Sequence, residues 1–362
     1  MLQSLFAEYV TRNFASIVSA ILVLINGGKT PLTYKFKEML NKKYSPTLRW
    51  DSLSTDGVSV AADVVAMDSP LPLKKRQSFA KASGDIPKLG TKRYLDERTM
   101  TNIDIMRSAG SANENQILAL LFADTKNCIV GIWERLEFQF LQALSTGITA
   151  TTDAINVGPL IRVDYNYLAA NKFGAEAVIW SNSSATPIKD ISRVVEKARA
   201  DGNQITRIIM DKYAWNNFKL RAEVQQYYAF HVGFVGTNLI VPTRDKINEA
   251  LNANDLPSIE VWDRTIKTEI DGVVTNNKPW AEGNVVFICN DKIGDLVWGN
   301  TAEKNRPVNS VDYQTVDEYI LVSKFSKNDP TLAEFTQSQG IVLPVLGNVD
   351  QIYLLESKTV QV

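Results

Sequence analysis

Histidine is all but missing from this chain: the only one among 362 residues is His231, set in Tyr227-Tyr228-Ala229-Phe230-His231-Val232. It has no HxxxH or cysteine partner at metal-ligand spacing, which nearly excludes a histidine-based metal centre. Ser-His-Asp or Cys-His catalysis would have to run through that one imidazole, and the chain contains no G-x-S-x-G nucleophile elbow, so His231 is expected to be structural. Cysteine is nearly as scarce. Cys128 and Cys289 stand on an apolar helical stretch and an apolar strand, as reduced, buried thiols do, and no disulfide framework is implied. Net charge is missing too, with 39 basic residues against 40 acidic ones. The chain as a whole is therefore no electrostatic binder of nucleic acid. No apolar run is long. Phe14 to Ile25 spans about a dozen residues against the roughly 20 needed to cross a bilayer. Glu8 ahead of it and Asn26-Gly27-Gly28-Lys29 after it do not make a signal peptide, so the run reads as a packing or assembly helix.

Other chemical motifs are incomplete. Gly28-Lys29-Thr30 ends like a phosphate-binding loop, but the position that needs the first glycine holds Val23. Asp96 with Glu97 and Asp317 with Glu318 are adjacent in sequence and point to opposite faces if they lie in strands, so they read as surface charges. Zinc-finger and basic-aromatic RNA motifs are absent. The expectation is a protein with no catalytic, cofactor-binding or metal-binding residues. A soluble α/β enzyme remains the weaker alternative.

With 45% apolar residues the chain has ample material for a core. Its most informative stretch runs from Ser111 to Gly147, where Ile117, Leu121, Cys128, Ile132, Leu136, Phe140 and Leu144 recur at helical spacing without a proline. Ser111-Ala112-Asn113-Glu114 fits a capping box and Gly147 a left-handed exit. The spacing predicts one uninterrupted helix about 50 Å long. A second flank, Leu118, Phe122, Ile129, Trp133 and Leu141, widens the apolar face beyond a coiled-coil seam, which places the helix as a spine beneath a sheet.

Ahead of the helix lies a basic arm. From Lys74 to Arg98, Lys74, Lys75, Arg76, Lys81, Lys88, Lys92, Arg93 and Arg98 face only Asp85, Asp96 and Glu97, an excess of five positive charges (eight minus three). Gly84, Pro87 and Gly90 interrupt any helix and suit a long two-stranded excursion. Phe79, Ile86, Leu89, Tyr94, Leu95 and Met100 interleave with the charges, a mixture that suggests docking on another protein surface. The bland alternative is a solvated lysine-rich loop.

The first 48 residues read as a self-contained helical arm, with Phe36, Met39 and Leu40 in a second short helix. Val58 to Val65 reads as a strand. After Gly147 the chain is mixed α+β: a strand at Leu160 to Tyr165, a helix from Pro187 to about Ala200, strands at Thr206 to Met210, Ile259 to Trp262 and Val285 to Cys289, a helix from Tyr213, and a hairpin at Ile270-Asp271-Gly272-Val273. Phe335 to Leu355 reads as extended and rejoining the sheet begun near Val58.

In this order the segments resemble the major capsid protein E family of tailed phages, the family of the lambda head protein. The likeness shows in Ala62-Asp63-Val64-Val65, Pro72-Leu73-Lys74, Gly90-Thr91-Lys92-Arg93 and Trp133-Glu134-Arg135. It is sharper in Val163-Asp164-Tyr165, Trp180-Ser181-Asn182, Pro187-Ile188-Lys189-Asp190-Ile191, Arg207-Ile208-Ile209-Met210-Asp211 with Ala214-Trp215, Gly283-Asn284-Val285-Val286-Phe287, Val297-Trp298-Gly299 and Leu343-Pro344-Val345-Leu346-Gly347-Asn348-Val349-Asp350. The resemblance implies the tailed-phage capsid fold: an N-terminal arm at 1–48, an E-loop at 58–107, a P domain at 49–57, 108–186 and 311–362 with the spine helix at 111–147, and an A domain at 187–310. It also implies a shell of many copies in hexamers and pentamers, assembled in the host cytoplasm and enclosing double-stranded DNA without sequence-specific binding. Portal, scaffolding and decoration proteins are the implied partners, with no membrane. Lys74, Lys75, Arg76, Phe79, Lys81, Lys88, Lys92, Arg93, Tyr94 and Arg98 become the candidate contacts between subunits. A protein compartment of the same fold, holding cargo in place of DNA, is the alternative.

Overall fold

A computed structural model of the chain describes residues 1–26, 34–55, 79–108, 114–234, 236, 239–328 and 331–361, with side chains for all of these except 24–26, 52–55 and 79–81. In chain order the elements begin with α1 (Ala7–Asn26), α2 (Lys35–Met39), β1 (Leu40–Tyr44), β2 (Arg49–Thr55), β3 (Phe79–Asp85), β4 (Lys88–Leu95), α3 (Glu97–Ser108), α4 (Glu114–Leu121) and α5 (Ala123–Thr146). There follow β5 (Ile148–Ala150), β6 (Arg162–Asp164), β7 (Lys172–Ala175), α6 (Pro187–Ala200), β8 (Arg207–Met210), α7 (Lys212–Lys219), α8 (Ala222–His231) and α9 (Arg244–Asn252). The remainder is β9 (Ser258–Val261), β10 (Ile266–Ile270), β11 (Val273–Asn277), β12 (Asn284–Ile288), β13 (Gly294–Gly299), α10 (Ala302–Asn305), β14 (Asp312–Val316), β15 (Ile320–Asn328), β16 (Leu332–Leu346) and β17 (Ile352–Val360). The chain forms two compact units. One comprises Met1–Trp50, Gly84–Glu137 and Leu296–Pro344, the other Asp51–Ser83, Phe138–Asp295 and Val345–Val362.

The first unit is built on a sheet of order β1-β13-β16-β15-β14, with β4 also paired to β16. β15 and β16 are buried along most of their length on both faces, polar residues included, as in a sheet covered on both sides. α5 lies against it: the Cys128 thiol donates to the Thr336 carbonyl (3.6 Å) and the Ser338 hydroxyl to the Cys128 carbonyl (2.6 Å). α1 buries Val10, Phe14 and Val18, a stripe at four-residue spacing, and Phe14 stacks on Phe122 with centroids 5.9 Å apart. Charge placement does the rest. The buried carboxylate of Glu137 accepts from the amides of Lys35 and Phe36 (3.0 and 3.1 Å), capping α2 from another helix where its own N-cap, Tyr34, offers no side-chain bond.

Several expectations are corrected here. The long helix is not uninterrupted: Phe122 lies outside both α4 and α5. The reason is a side chain in the helical ladder, since the ammonium of buried Lys324 donates to the Leu121 carbonyl at 2.8 Å. The capping serine, Ser111, falls outside the described residues. The second short helix stops at Met39, because Leu40 to Tyr44 is taken up as the edge strand beside β13. The N-terminal segment is not self-contained, for Leu2 bridges Ser326 and the Ser4 hydroxyl donates to Glu334 (2.5 Å). Asp96 is a helix cap in place of a strand residue, accepting from the Thr99 amide (3.1 Å), and hydrogen bonds from Thr99 hold its carboxyl below the usual range. Asp317 and Glu318 form the β14–β15 turn, both at positive φ (51° and 75°), and Asp317 is paired with Lys37 at 2.7 Å.

The second unit carries the sheet β7-β17-β12-β8-β9, with β12 antiparallel to both neighbours and the outer pairs parallel. α6, α7, α8 and α9 pack on it around Ile191, Val194, Phe218, Ile247 and Leu251. Pro187 starts α6 as expected, and the buried Asp190 in its first turn accepts from the Trp180 indole (2.8 Å) and the Glu176 amide (2.8 Å). Burial raises the Asp190 carboxyl, an effect these bonds and Arg193 oppose. Asp211 caps α7 through the Ala214 amide (2.9 Å) and reaches the Gly283 amide (3.3 Å). The motif residues Trp180, Asp190, Asp211 and Gly283 are thus joints of one body. Asp271 and Gly272, at φ 49° and 76°, make the predicted β10–β11 hairpin turn. Gly147 ends α5 at φ 78°, where an added Cβ would lie 2.8 Å from the Tyr167 ring. The terminal extended segment is two strands in different sheets, divided by a short 3-10 turn at Val349–Gln351. Val58 lies outside the described residues.

Candidate subunit-contact surface

The basic arm is anchored by β4, which pairs antiparallel with β16 from Leu95 opposite Glu334 to Lys88 opposite Ile341. Strand alternation sorts its side chains. Leu95 is buried, Thr91 lies 3.5 Å from the Cβ position of Gly131 on α5, and Arg93 faces Asp124 at the start of α5 (3.7 Å). The other face carries Lys88, Lys92 and Tyr94, all exposed. Lys92 places its ammonium 3.8 Å from the Phe335 ring centroid, Phe335 stacks on Phe325 (5.6 Å), and Tyr94 tilts against Phe335 (6.1 Å). Partial burial and then Lys327 lower the Lys92 amine from its ordinary value. The result is a cationic, aromatic strip on a rigid strand. Tyr94 alone is 64% exposed, a large polar-tipped ring of the kind enriched at interfaces.

Of the candidates, then, Lys88, Lys92 and Tyr94 are brought together. Arg93 lies on the opposite face, and Arg98 is exposed in the first turn of α3. Lys74, Lys75 and Arg76 lie outside the described residues; Phe79 and Lys81 are on β3 without described side chains. Ile86, Leu95 and Met100, expected to dock on another protein, are buried in their own chain. These three apolar residues therefore seat the strand, while Leu89 is partly buried and Tyr94 is exposed. His231 is exposed at the end of α8 and is no core residue. Cys128 is buried and Cys289 only partly so.

Two features escaped sequence reasoning. Lys324 and Glu334 are fully buried charges inside β15 and β16, detectable only as charged residues interrupting apolar strands. In the second unit Phe230, Val232, Phe234, Ile240 and Val241 are all exposed, with Phe230 at 90%. They cluster at and after the end of α8, where an apolar run looks like core. Among the described residues no group of histidine, cysteine or carboxylate side chains has the geometry of a metal site. A polar cleft among α1, α3 and α4 has its two arginines already paired, Arg107 with Glu8 (3.0 Å) and Arg12 with Glu114. Glu114–Thr146 is long and apolar enough to cross a membrane by composition alone, but its apolar positions Cys128, Ile129, Ile132, Trp133 and Leu136 are buried in protein.

A covered sheet with a long helix beneath it, a basic strand with one exposed face, and a separate α/β body make up the fold of phage capsid proteins. The same fold is found in a protein assigned as the capsid protein of a prophage of E. coli CFT073 (12% identity, 93% of this chain and 98% of that one, TM-score 0.57). It is found again in the capsid asymmetric unit of cyanophage A-1(L) (11% identity, 90% and 93% of the two chains, TM-score 0.50). A search of curated proteins gave no match. The family profile described as phage major capsid protein E matches residues 36–310, and the chain belongs to that family. It is a phage major capsid protein, a structural component of the virion shell.

Proposed function

We propose that the cationic, aromatic face of β4, together with the basic residues that precede it, is the contact by which each copy holds the next. The observation that carries this is the exposed group Lys88, Lys92 and Tyr94 on a strand fixed by eight residue pairs to β16. On this reading Lys74, Lys75, Arg76, Phe79, Lys81, Arg93 and Arg98 extend the contact along an E-loop at 58–107. Each exposed ion pair contributes about 0–1 kcal/mol, so strength comes from repetition around a closed shell. The exposed apolar group from Phe230 to Val241 supports assigning 187–310 to an A domain that meets its copies around the hexamer and pentamer axes. The chain has no catalytic role here. It encloses DNA without reading sequence, which its balanced charge suits, and it works with portal, scaffolding and decoration proteins during assembly in the host cytoplasm.

Reversing Lys74, Lys75, Arg76 and Lys88 to glutamate tests the contact without removing β4. Unchanged melting with loss of closed shells by electron microscopy is the expected result; normal shells would refute it. DNA recovered from native particles, as against protein cargo, separates a genome shell from a compartment of the same fold.

A further inference from the structure

The break at Phe122 has an unusual hydrogen-bond pattern. Up to that point the ladder is ordinary, with the Phe122 amide donating to the Leu118 carbonyl (3.0 Å). In a continuous helix the Leu121 carbonyl would next accept from the Thr125 amide. Here it accepts from the Lys324 ammonium at 2.8 Å, and the Thr125 amide turns to the Phe122 carbonyl at 3.0 Å. Lys324 is fully buried in β15; it also donates to the Thr336 hydroxyl (3.0 Å) and stands 5.4 Å from the Phe122 ring centroid. A second observation concerns the other contender for the same carbonyl. Thr125 is fully buried, and its hydroxyl is without a hydrogen-bond partner among the described residues. In a continuous helix that hydroxyl sits over the carbonyl four residues back, which is again Leu121.

We infer that the Leu121 carbonyl is a two-position element, taken by Lys324 in the broken helix and by Thr125 in a continuous one, and that the N-terminal segment holds it in the broken position. The link to the N-terminus runs through Glu334. The antiparallel register sets Lys324 opposite Thr336 and Ser326 opposite Glu334, so the ammonium and the carboxylate are diagonal neighbours on adjacent strands. Both charges are buried, and the carboxylate favours the charged form of the ammonium, opposing the effect of burial. Glu334 is fixed from outside the sheet by the Ser4 hydroxyl (2.5 Å) and the Leu5 amide (3.0 Å), while Leu2 exchanges backbone bonds with Ser326 (3.0 and 3.1 Å). The first five residues therefore hold the carboxylate that keeps the ammonium charged and in place. A charge-assisted bond from Lys324 outcompetes a neutral amide as long as that arrangement stands. Any partner that draws residues 1–5 away weakens it and favours the Thr125 bonds. Lys324 holds the Leu121 carbonyl out of the ladder and the Thr125 donors hold it in, so the two arrangements are discrete and both ends bias the element.

The test is the backbone carbon shift of Phe122, read by NMR in the selectively labelled full-length chain, since Cα shifts separate helical from non-helical residues. Lys324→Met removes the competing donor and keeps the apolar stem; Phe122 is expected to move to a helical shift. Ser4→Ala, which removes one buried hydrogen bond to Glu334 and leaves the one from the Leu5 amide, is expected to move it part of the way in the same direction. A folded Lys324→Met chain with the wild-type Phe122 shift overturns the two-position element. If Lys324→Met does not fold, Ser4→Ala decides, and an unchanged Phe122 shift there overturns the coupling to the N-terminus.

Discussion

Replacing Trp133 with alanine probes how firmly α5 holds the first unit. Trp133 has no exposed surface. Its ring meets Tyr34 edge-on (5.6 Å, 60°), and the Lys37 ammonium sits 3.4 Å from its centroid while also bonding Asp317 at the β14–β15 turn. Truncation thus unties α5 from the chain leading into α2 and from a hairpin distant in sequence. Buried Trp→Ala changes cost about 3–5 kcal/mol. The cation–π contact adds roughly 1 kcal/mol, since Lys37 is partly buried. A total of about 4–6 kcal/mol is a large share of the ~5–15 kcal/mol that stabilises an ordinary domain. Because the chain has two compact units, one unfolding curve mixes them. Pulse-labelling hydrogen exchange across a urea series, read by mass spectrometry, follows peptides from β15 and α5 separately from those of β12. The first set should unfold at distinctly lower urea in Trp133→Ala, with a smaller displacement in Trp133→Phe, which keeps an aromatic ring for Lys37. A loss below about 1 kcal/mol in the α5 peptides would show that the neighbours collapse into the space and that Trp133 is no keystone.

Gly147→Ala forces a side chain into a left-handed residue with the Tyr167 ring 2.8 Å away, so it should destabilise by more than about 1 kcal/mol in urea melts; a neutral result would mean the ring moves freely. Burial pushes the Lys324 amine down from 10.5 to about 8, so between those pH values the unfolded chain holds more protons and this group makes stability rise with pH. The two thiols act oppositely, because burial raises both from 9.0 to about 11 and the unfolded thiols lose their protons first. The difference between wild type and Lys324→Met isolates the lysine: it should climb in the wild type's favour between about pH 8 and 10.5, and a flat difference would refute the assignment. Native protein treated with an alkylating agent at pH 8 should leave Cys128 unmodified while Cys289 reacts slowly; rapid labelling at Cys128 would contradict its burial.

Local rules made much of the second unit legible. Pro187 at a helix start and Asp271-Gly272 between alternating residues act through a few neighbouring atoms, and the elements formed where they were expected. Trp180, Asp190, Asp211 and Gly283 could be recognised as a pattern, but their bonding to one another spans up to 72 residues and is visible only in the fold. Misreadings in the first unit share a cause. Lys324, 203 residues from Leu121 in sequence, interrupts a helix whose periodicity gives no sign of a break. Leu40 to Tyr44 satisfies helical spacing and becomes a strand because β13 offers an unpaired edge.

The candidate contact surface divides along the same line. Sequence alone determined that the chain is charge-balanced with a single histidine, that its basic residues concentrate between 74 and 98, and that a long apolar helical stretch follows. Which of those basic residues face outward was a tertiary decision. The pairing of β4 with β16 sends Arg93 toward Asp124 on α5 and leaves Lys92 and Tyr94 on the open face, while Ile86, Leu95 and Met100 are buried in their own unit. Composition and spacing act within a few residues and fix an element only where no distant partner intervenes, as Lys324 and β13 do. The face a residue presents is set by its partner strand, and that partner lies some 240 residues away, at a distance only the folded chain closes.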